Sequence, residues 1–212
     1  LLVALIQPLW AADLSLLLTH DSTSLSADGV TRTSHYQERL YRQQQQVWLE
    51  RIIPAHVAAS VSHDDSDGHK HLDLDTSARW VSRIDDKKAE IRLVNRHDRQ
   101  LVTVDSGDYD AIGFDGDWPT AYYLVDPAKL KTMILSKRSA PAGSQWYESI
   151  GKNGYIRILW DSRQQYPRRI ESGSHDGSQQ RVVRVELGVK PAQMPWLTLK
   201  GYQHKEYTDF MD

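Results

Sequence analysis

Tyr155 to Leu187, YIRILWDSRQQYPRRIESGSHDGSQQRVVRVEL, is the stretch on which the fold turns. In its first part Ile156, Ile158 and Trp160 share one side and Arg157 takes the other. In its last part Val183, Val185 and Leu187 alternate with Arg184 and Glu186. A period of two is the signature of strands with one dry and one wet side. Asp161-Ser162 through Pro167 breaks the run once, and His175-Asp176-Gly177 breaks it again. Asp-Gly between alternating runs is a strong short-range hairpin signal. Three antiparallel strands follow from these marks.

Working outward, Tyr36 to Ile53, YQERLYRQQQQVWLERII, is rich in helix formers, yet its apolar positions make no single helical stripe. It reads as two long strands with a turn near Gln43 to Gln46, closed by Pro54. Arg79–Ile84, Ala89–Asn95 and Gln100–Val104 continue the meander as short strands, and Trp146-Tyr147-Glu148 opens the final sheet segment. Asp13 to Leu25, with Leu14, Leu16, Leu17 and Leu18, is expected to form a short amphipathic helix. Asp126-Pro127 gives a second helix an N-cap and a proline first turn, with Leu130, Met133 and Ile134 as its buried stripe. Asp115-Gly116 and Pro119 break the chain before it. The tail is read as a strand over Leu197 to Tyr202 and a terminal helical turn. The class is mostly β (α+β): nine to eleven antiparallel strands in a curled sheet or incomplete barrel, with one or two capping helices. Such a sheet must close on itself or have its apolar side plugged.

Composition sets outer limits. The chain has 212 residues, 40% hydrophobic and 25% charged, as in ordinary globular proteins. The net charge of -2, with signs interspersed, supplies no field for gathering phosphates, so a nucleic-acid partner is not expected. Cysteine is absent, which excludes disulfides, thiolate catalysis and cysteine-ligated zinc. Leu1 to Trp10, LLVALIQPLW, followed by Ala11-Ala12-Asp13, reads as the end of a secretory signal peptide. Residues 1–12 are therefore expected to be a signal remnant and 13–212 a single domain, exported and periplasmic. No other segment is long and apolar enough to anchor it in a bilayer.

The hairpin grammar resembles a known family. IRILWDSRQQYPRRIESGSHDGSQQRVVRVEL is similar to the C-terminal hairpins of the lipoprotein-carrier superfamily, the LolA, LolB and RseB-type sheet domains. There a strand ending in Trp/Leu-x-Asp is followed by a proline turn, a strand, an Asp-Gly turn and a further strand. YQERLYRQQQQVWLERIIP likewise resembles the long paired strands near the start of such domains. The resemblance implies an unclosed barrel whose apolar concavity, capped by helices, holds acyl chains or a peptide. The partner expected on this basis is a hydrophobic ligand or an envelope protein. Trp48, Trp80, Trp118, Trp146 and Trp160 are the candidate lining residues of such a concavity. Each also reads as core filler, since large aromatics mostly bury for packing.

Two polar constellations stand apart from the strands. His63-Asp64-Asp65-Ser66-Asp67-Gly68-His69-Lys70-His71 gathers imidazoles and carboxylates, and His69 and His71 share a face if extended. His63, His69 and His71 are candidate ligands for Cu(II) or Zn(II), set against the reading of a solvated loop. A calcium loop does not fit, because Leu74 falls where the bidentate Glu belongs. Asp105, Asp108, Asp110, Asp115 and Asp117 crowd a second stretch, where carboxylates can hold a cation or do acid–base work like a glycosidase pair but more commonly serve turns. No nucleophile elbow, phosphate loop, dinucleotide fingerprint or His-Glu-x-x-His occurs. Nothing in the sequence demands an enzyme. The expected function is a non-enzymatic periplasmic binding protein for a lipid, lipoprotein or hydrophobic segment. The alternative is a metal-binding or metal-delivery protein using residues 63–75.

Overall fold

The computed structural model describes residues 13–54, 73–74 and 76–210. The apolar start and the loop with His63, His69 and His71 lie outside the described residues. Strand makes up most of the regular structure: β1 (Leu14–Leu25), β2 (Thr31–Gln43), β3 (Gln46–Ile52), β4 (Ala78–Arg83), β5 (Ala89–Asn95), β6 (Gln100–Thr103), β7 (Ile134–Leu135), β8 (Ser144–Ile150), β9 (Gly154–Asp161), β10 (Tyr166–Ser174), β11 (Gln179–Leu187) and β12 (Gln203–Glu206). They form one open, curled sheet in the order β12-β6-β5-β4-β3-β2-β1-β11-β10-β9-β8-β7. All pairings are antiparallel except β12 with β6. The two edges are a four-residue strand and a two-residue strand, short enough to offer little template for further pairing.

The three expected strands of the opening stretch are β9, β10 and β11, and the two long ones are β2 and β3. Leu14–Leu25 corrects the sequence reading: it is the central strand β1, not a helix. Leu16, Leu18 and His20 are buried while Leu17 and Thr19 lie on the opposite side, so the period is two. Leu17 made the run look continuous, and short apolar runs do not distinguish the two periods.

The inner face of the sheet carries the larger core. Leu16, Leu18, Leu40, Val81, Ile91, Val183 and Val185 pack there against one covering segment. That segment, residues 104–133, contains two 3-10 turns and two short helices, α1 (Trp118–Tyr123) and α2 (Pro127–Leu130). Helix α1 was not expected from sequence; Asp117 caps it by accepting from the Thr120 amide, and Pro119 sits in its first turn. Helix α2 starts at the expected Asp126 cap but stops at Leu130, and Ile134 leaves it to become edge strand β7. Ile112, Phe114, Trp118 and Tyr122 enter the main inner core, while Leu130 joins Ile158 and Trp160 farther along the same face.

Arg42 fastens this plug. Its side chain is fully buried, and its two terminal nitrogens donate to the carbonyls of Tyr122 (3.0 Å), Gln165 (2.9 Å) and Gln164 (2.7 Å). The guanidinium lies 4.9 Å from the Tyr122 ring centre and 5.4 Å from that of Tyr123. One residue on β2 thus ties α1 to the β9–β10 turn. A second tie is Arg79, which donates to the Ile112 carbonyl at 2.8 Å.

The outer face of β2 to β6 has its own cover. Tyr41, Trp48, Ala78, Val94 and Leu101 pack under Met194, with Trp196, Leu199 and Tyr202 beside them. The strand expected over Leu197–Tyr202 is instead a 3-10 turn at Pro195–Thr198, followed by β12. Pro195 suits a turn start and removes a ladder donor, which disfavours a strand there. Tyr207 and Phe210, in the expected terminal turn, then reach the inner core.

Candidate functional site

In an antiparallel sheet, directly opposed residues share a face, so the pairing register lays out the inner surface as rows across the strands. One row is Tyr36–His20–Val183–Ile170–Ile158–Tyr147. Its middle belongs to the core. The next row, two residues outward on each strand and about 7 Å away, is Ser34–Ser22–Arg181–Ser172–Ile156–Ser149. Within one pleat the surface changes from aliphatic to hydroxyl-bearing. The segment that plugs the core does not reach this row, and an open groove of about 1020 Å³ lies over it from Ser22 to Ser149. Ile156, 38% exposed, is the apolar side chain of the row.

Beneath Arg181 sits a buried polar group. His20, 6% exposed, stacks on the Tyr36 ring with centres 4.4 Å apart. Its Nε2 lies 2.6 Å from Glu38 Oε2, off the angle of a good hydrogen bond. Its Nδ1 faces the Nη2 of Arg181 at a long 3.4 Å. Guanidinium nitrogens only donate, so Nδ1 is the acceptor here. Arg51 lies over the other side of this cluster, 4.6 Å from the Tyr36 ring centre. The Tyr36 hydroxyl is pushed above its ordinary pKa, first by burial and then by the charge of Glu38, against the opposing charges of Arg181, Arg51 and Arg79. Three cations thus converge around one aromatic and one carboxylate.

The far end of the groove is formed by the β10–β11 turn. Gly177 takes a left-handed φ of 74° there, and Asp176 accepts from the amide (2.9 Å) and hydroxyl (2.7 Å) of Ser178. The Ser174 hydroxyl and these two bonds from Ser178 lower the Asp176 pKa to about 2. Close strand approach at the mouth depends on Gly154: a Cβ there would stand 2.4 Å from the Gly173 carbonyl oxygen.

The five tryptophans singled out from sequence do not come together. Trp48 and Trp80 lie on the outer face under the C-terminal segment, where Trp48 is 0% exposed and its indole donates to Glu50 at 2.9 Å. Trp80 donates to Gln46 at 2.6 Å. Trp146 pairs with Leu159 on the outer side of β8 and donates to the Ser139 carbonyl. Trp118 and Trp160 are on the inner side, packed in its two core clusters. None of the five lines the groove. The polar row was missed because polarity alone gives Ser22, Arg181 and Ser172 no sign of facing inward. The signal that could have found it is register: once Val183 and His20 are opposed, Arg181 and Ser22 must share their face. Among the described residues no group of three or more His, Asp or Glu side chains could hold a metal ion. Two aspartates of the second acidic stretch serve turns, Asp117 as the α1 cap and Asp115 by accepting from the Asp117 amide.

No family model matches the sequence, and no curated protein does. Solved structures do. The fold is similar to LolA superfamily and MucB structures. A LolA superfamily protein from Nitrosomonas europaea is 7% identical, with 85% of this chain and 88% of that one covered and a TM-score of 0.34. MucB in the Pseudomonas aeruginosa MucA/MucB complex is 14% identical, with a TM-score of 0.39; 84% of this chain aligns with 53% of that one. An uncharacterised conserved protein from Thermus thermophilus is 11% identical, covers 91% and 90% of the two chains, and has a TM-score of 0.42. Among the described residues no helix is long and apolar enough to cross a membrane.

Proposed function

We propose that this chain is a periplasmic binding protein that performs no chemistry and holds an elongated amphiphile, a lipid or a hydrophobic segment of an envelope protein, on the open half of its inner face. One observation carries the reading. The inner face is packed as far as the Tyr36–His20–Val183–Ile170–Ile158–Tyr147 row, and is then left uncovered over the Ser22–Arg181–Ser172–Ile156–Ser149 row, with about 1020 Å³ above it. That volume suits a ligand of considerable size. The apolar part of the ligand rests against Ile156, and its polar part is served by the hydroxyls. A bare hydrocarbon chain would leave those hydroxyls without partners, so the lining selects for a ligand with hydrogen-bonding groups.

The test fills the groove. Ser149→Trp and Ser172→Trp place indoles into open space on the inner face and should leave the folded core unchanged. Displacement of a fluorescent amphiphile by twelve-carbon detergents, followed by titration, should show at least tenfold weaker binding in the double variant at an unchanged melting temperature. Equal binding by both proteins, or no binding by the wild type, overturns the reading.

A further inference from the structure

Arg181 occupies the centre of the open row, and Glu38 stands on the far side of His20 rather than paired with it. The arginine is exposed, and among the described residues no carboxylate lies within ion-pair distance of it. Its polar contact is with the His20 ring, which accepts from one Nη2 hydrogen at 3.4 Å and leaves the rest of the guanidinium fork directed elsewhere. On either side stand its direct cross-strand partners Ser22 and Ser172. Neither hydroxyl has a hydrogen-bond partner among the described residues. Opposed side chains in such a pair have Cβ atoms about 5 Å apart, close enough for Arg181 and either neighbouring hydroxyl to reach one small group. Lys152 adds a second cation to the groove. The carboxylate that lines it, Asp176, accepts twice from Ser178 through Oδ1 at the turn.

We infer that Arg181, together with a flanking hydroxyl of Ser22 or Ser172, forms an oxyanion cradle that takes a terminal phosphate or carboxylate of the ligand held in the groove. The inference rests on the groove being a ligand site and adds the chemical class of the ligand's polar end. A planar guanidinium gives two parallel donors to an oxyanion, and a flanking hydroxyl can give one more. His20 acts as a positioning residue: stacked on Tyr36 and held by Glu38, it fixes one edge of the guanidinium. The apolar Ile156 follows Ser172 in the row, so an anionic head on Arg181 puts a hydrocarbon stem where the surface turns apolar. Free phosphate would use the cradle alone, whereas an amphiphile would use both.

The experiment compares wild type with Arg181→Gln and with Ser22→Ala/Ser172→Ala by calorimetric titration of dodecyl phosphate, dodecanoate, neutral dodecyl maltoside and inorganic phosphate. The expected result is a loss of about 10- to 100-fold for the anionic amphiphiles in Arg181→Gln, the range for charged hydrogen bonds. The serine pair should lose less, dodecyl maltoside should change under about twofold, and only the anionic affinities of the wild type should fall with added salt. Binding of inorganic phosphate as tight as that of dodecyl phosphate assigns the cradle to a free anion and overturns the amphiphile head. Equal binding of the anionic probes by wild type and Arg181→Gln overturns the cradle while leaving the groove reading intact. Failure of every amphiphile to bind the wild type, by contrast, sinks the groove reading itself.

Discussion

Replacing Arg42 by methionine tests whether the plug over the inner core is held by one buried cation. The guanidinium is 0% exposed and donates to three carbonyls, those of Tyr122, Gln164 and Gln165. Burial lowers its pKa, against the stabilising influence of Tyr122, Tyr123, Asp13 and Tyr166. Each charge-assisted bond contributes about 1.5–3 kcal/mol. Removing the charge from water costs several kcal/mol, which methionine recovers. The Tyr122 bond is fully buried, so its loss takes a buried donor from that carbonyl, whereas Gln164 and Gln165 sit at a partly exposed turn. The net expectation for Arg42→Met is a loss of about 2–4 kcal/mol. Arg42→Lys should be no better, since one ammonium keeps the desolvation cost but cannot span three carbonyls. Urea unfolding followed by tryptophan fluorescence measures the stability, and hydrogen exchange over residues 105–133 shows where it is lost. A methionine variant within about 0.5 kcal/mol of wild type, with unchanged exchange in that segment, would refute the role given to Arg42.

Acid should loosen the molecule through its turns. Asp21, Asp28, Asp85 and Asp176 all have pKa values lowered by hydrogen bonds, Asp176 to about 2. For Glu171, burial raises the pKa, but Arg138 and Arg169 outweigh it and the net shift is downward. Groups depressed in the folded state contribute stability that is complete above the ordinary carboxylate range and is lost as pH falls through their folded values. Melting temperature should therefore hold steady above about pH 4.5 and fall towards pH 2, with Asp176→Asn reducing the last part of that fall; a flat or rising profile would contradict this. The metal reading of His63, His69 and His71 calls for Cu(II) or Zn(II) titration near neutral pH, where imidazole is neutral and can ligate. Tight binding abolished in His69→Ala/His71→Ala supports it, and equal binding by variant and wild type removes it.

The register-bearing half of the fold was legible because its signals were local and redundant. Val183, Val185, Ile156, Ile158 and the Asp176-Gly177 turn all specify the same three strands, and β9, β10 and β11 follow them. Helices carried less local information. Helix α1 is six residues long and begins at an Asp-Trp-Pro sequence that serves equally as a turn. Its stability comes from Trp118 and Tyr122 packing into the inner core and from Arg42, eighty positions away in sequence. Short helices in general depend on such packing rather than on propensity. The tryptophans were legible as buried aromatics, but not by face, because in this sheet both faces are covered: one by residues 104–133, the other by Met194 to Tyr202.

Double coverage also explains why the groove was hidden in the sequence. A strand that is dry on one side and wet on the other assigns every residue a side by its polarity alone. In β1 the rule holds through Leu16 and Leu18 and then gives way at His20, Ser22 and Ser24, which stay on the inner side while becoming polar. In β11 the same change occurs between Val183 and Arg181, and in β10 between Ile170 and Ser172. Each change, taken alone, looks like the end of a strand. Together they fall on one line across the sheet, because antiparallel register opposes Ser22 to Arg181 and Arg181 to Ser172. If the polar ends were only solvated tips, their registers would have no need to agree, and the strands would fray there. Instead pairing continues past the line, to Ser24↔Gln179 and Ser174↔Gly154, so the sheet holds a polar floor rigid beyond its core. A floor that is ordered by the ladder, uncovered by the plug and carrying, at Ser22 and Ser172, hydroxyls without a partner among the described residues is one that ligand binding can use without first folding it, and that preorganisation lowers the entropic cost of holding a ligand there.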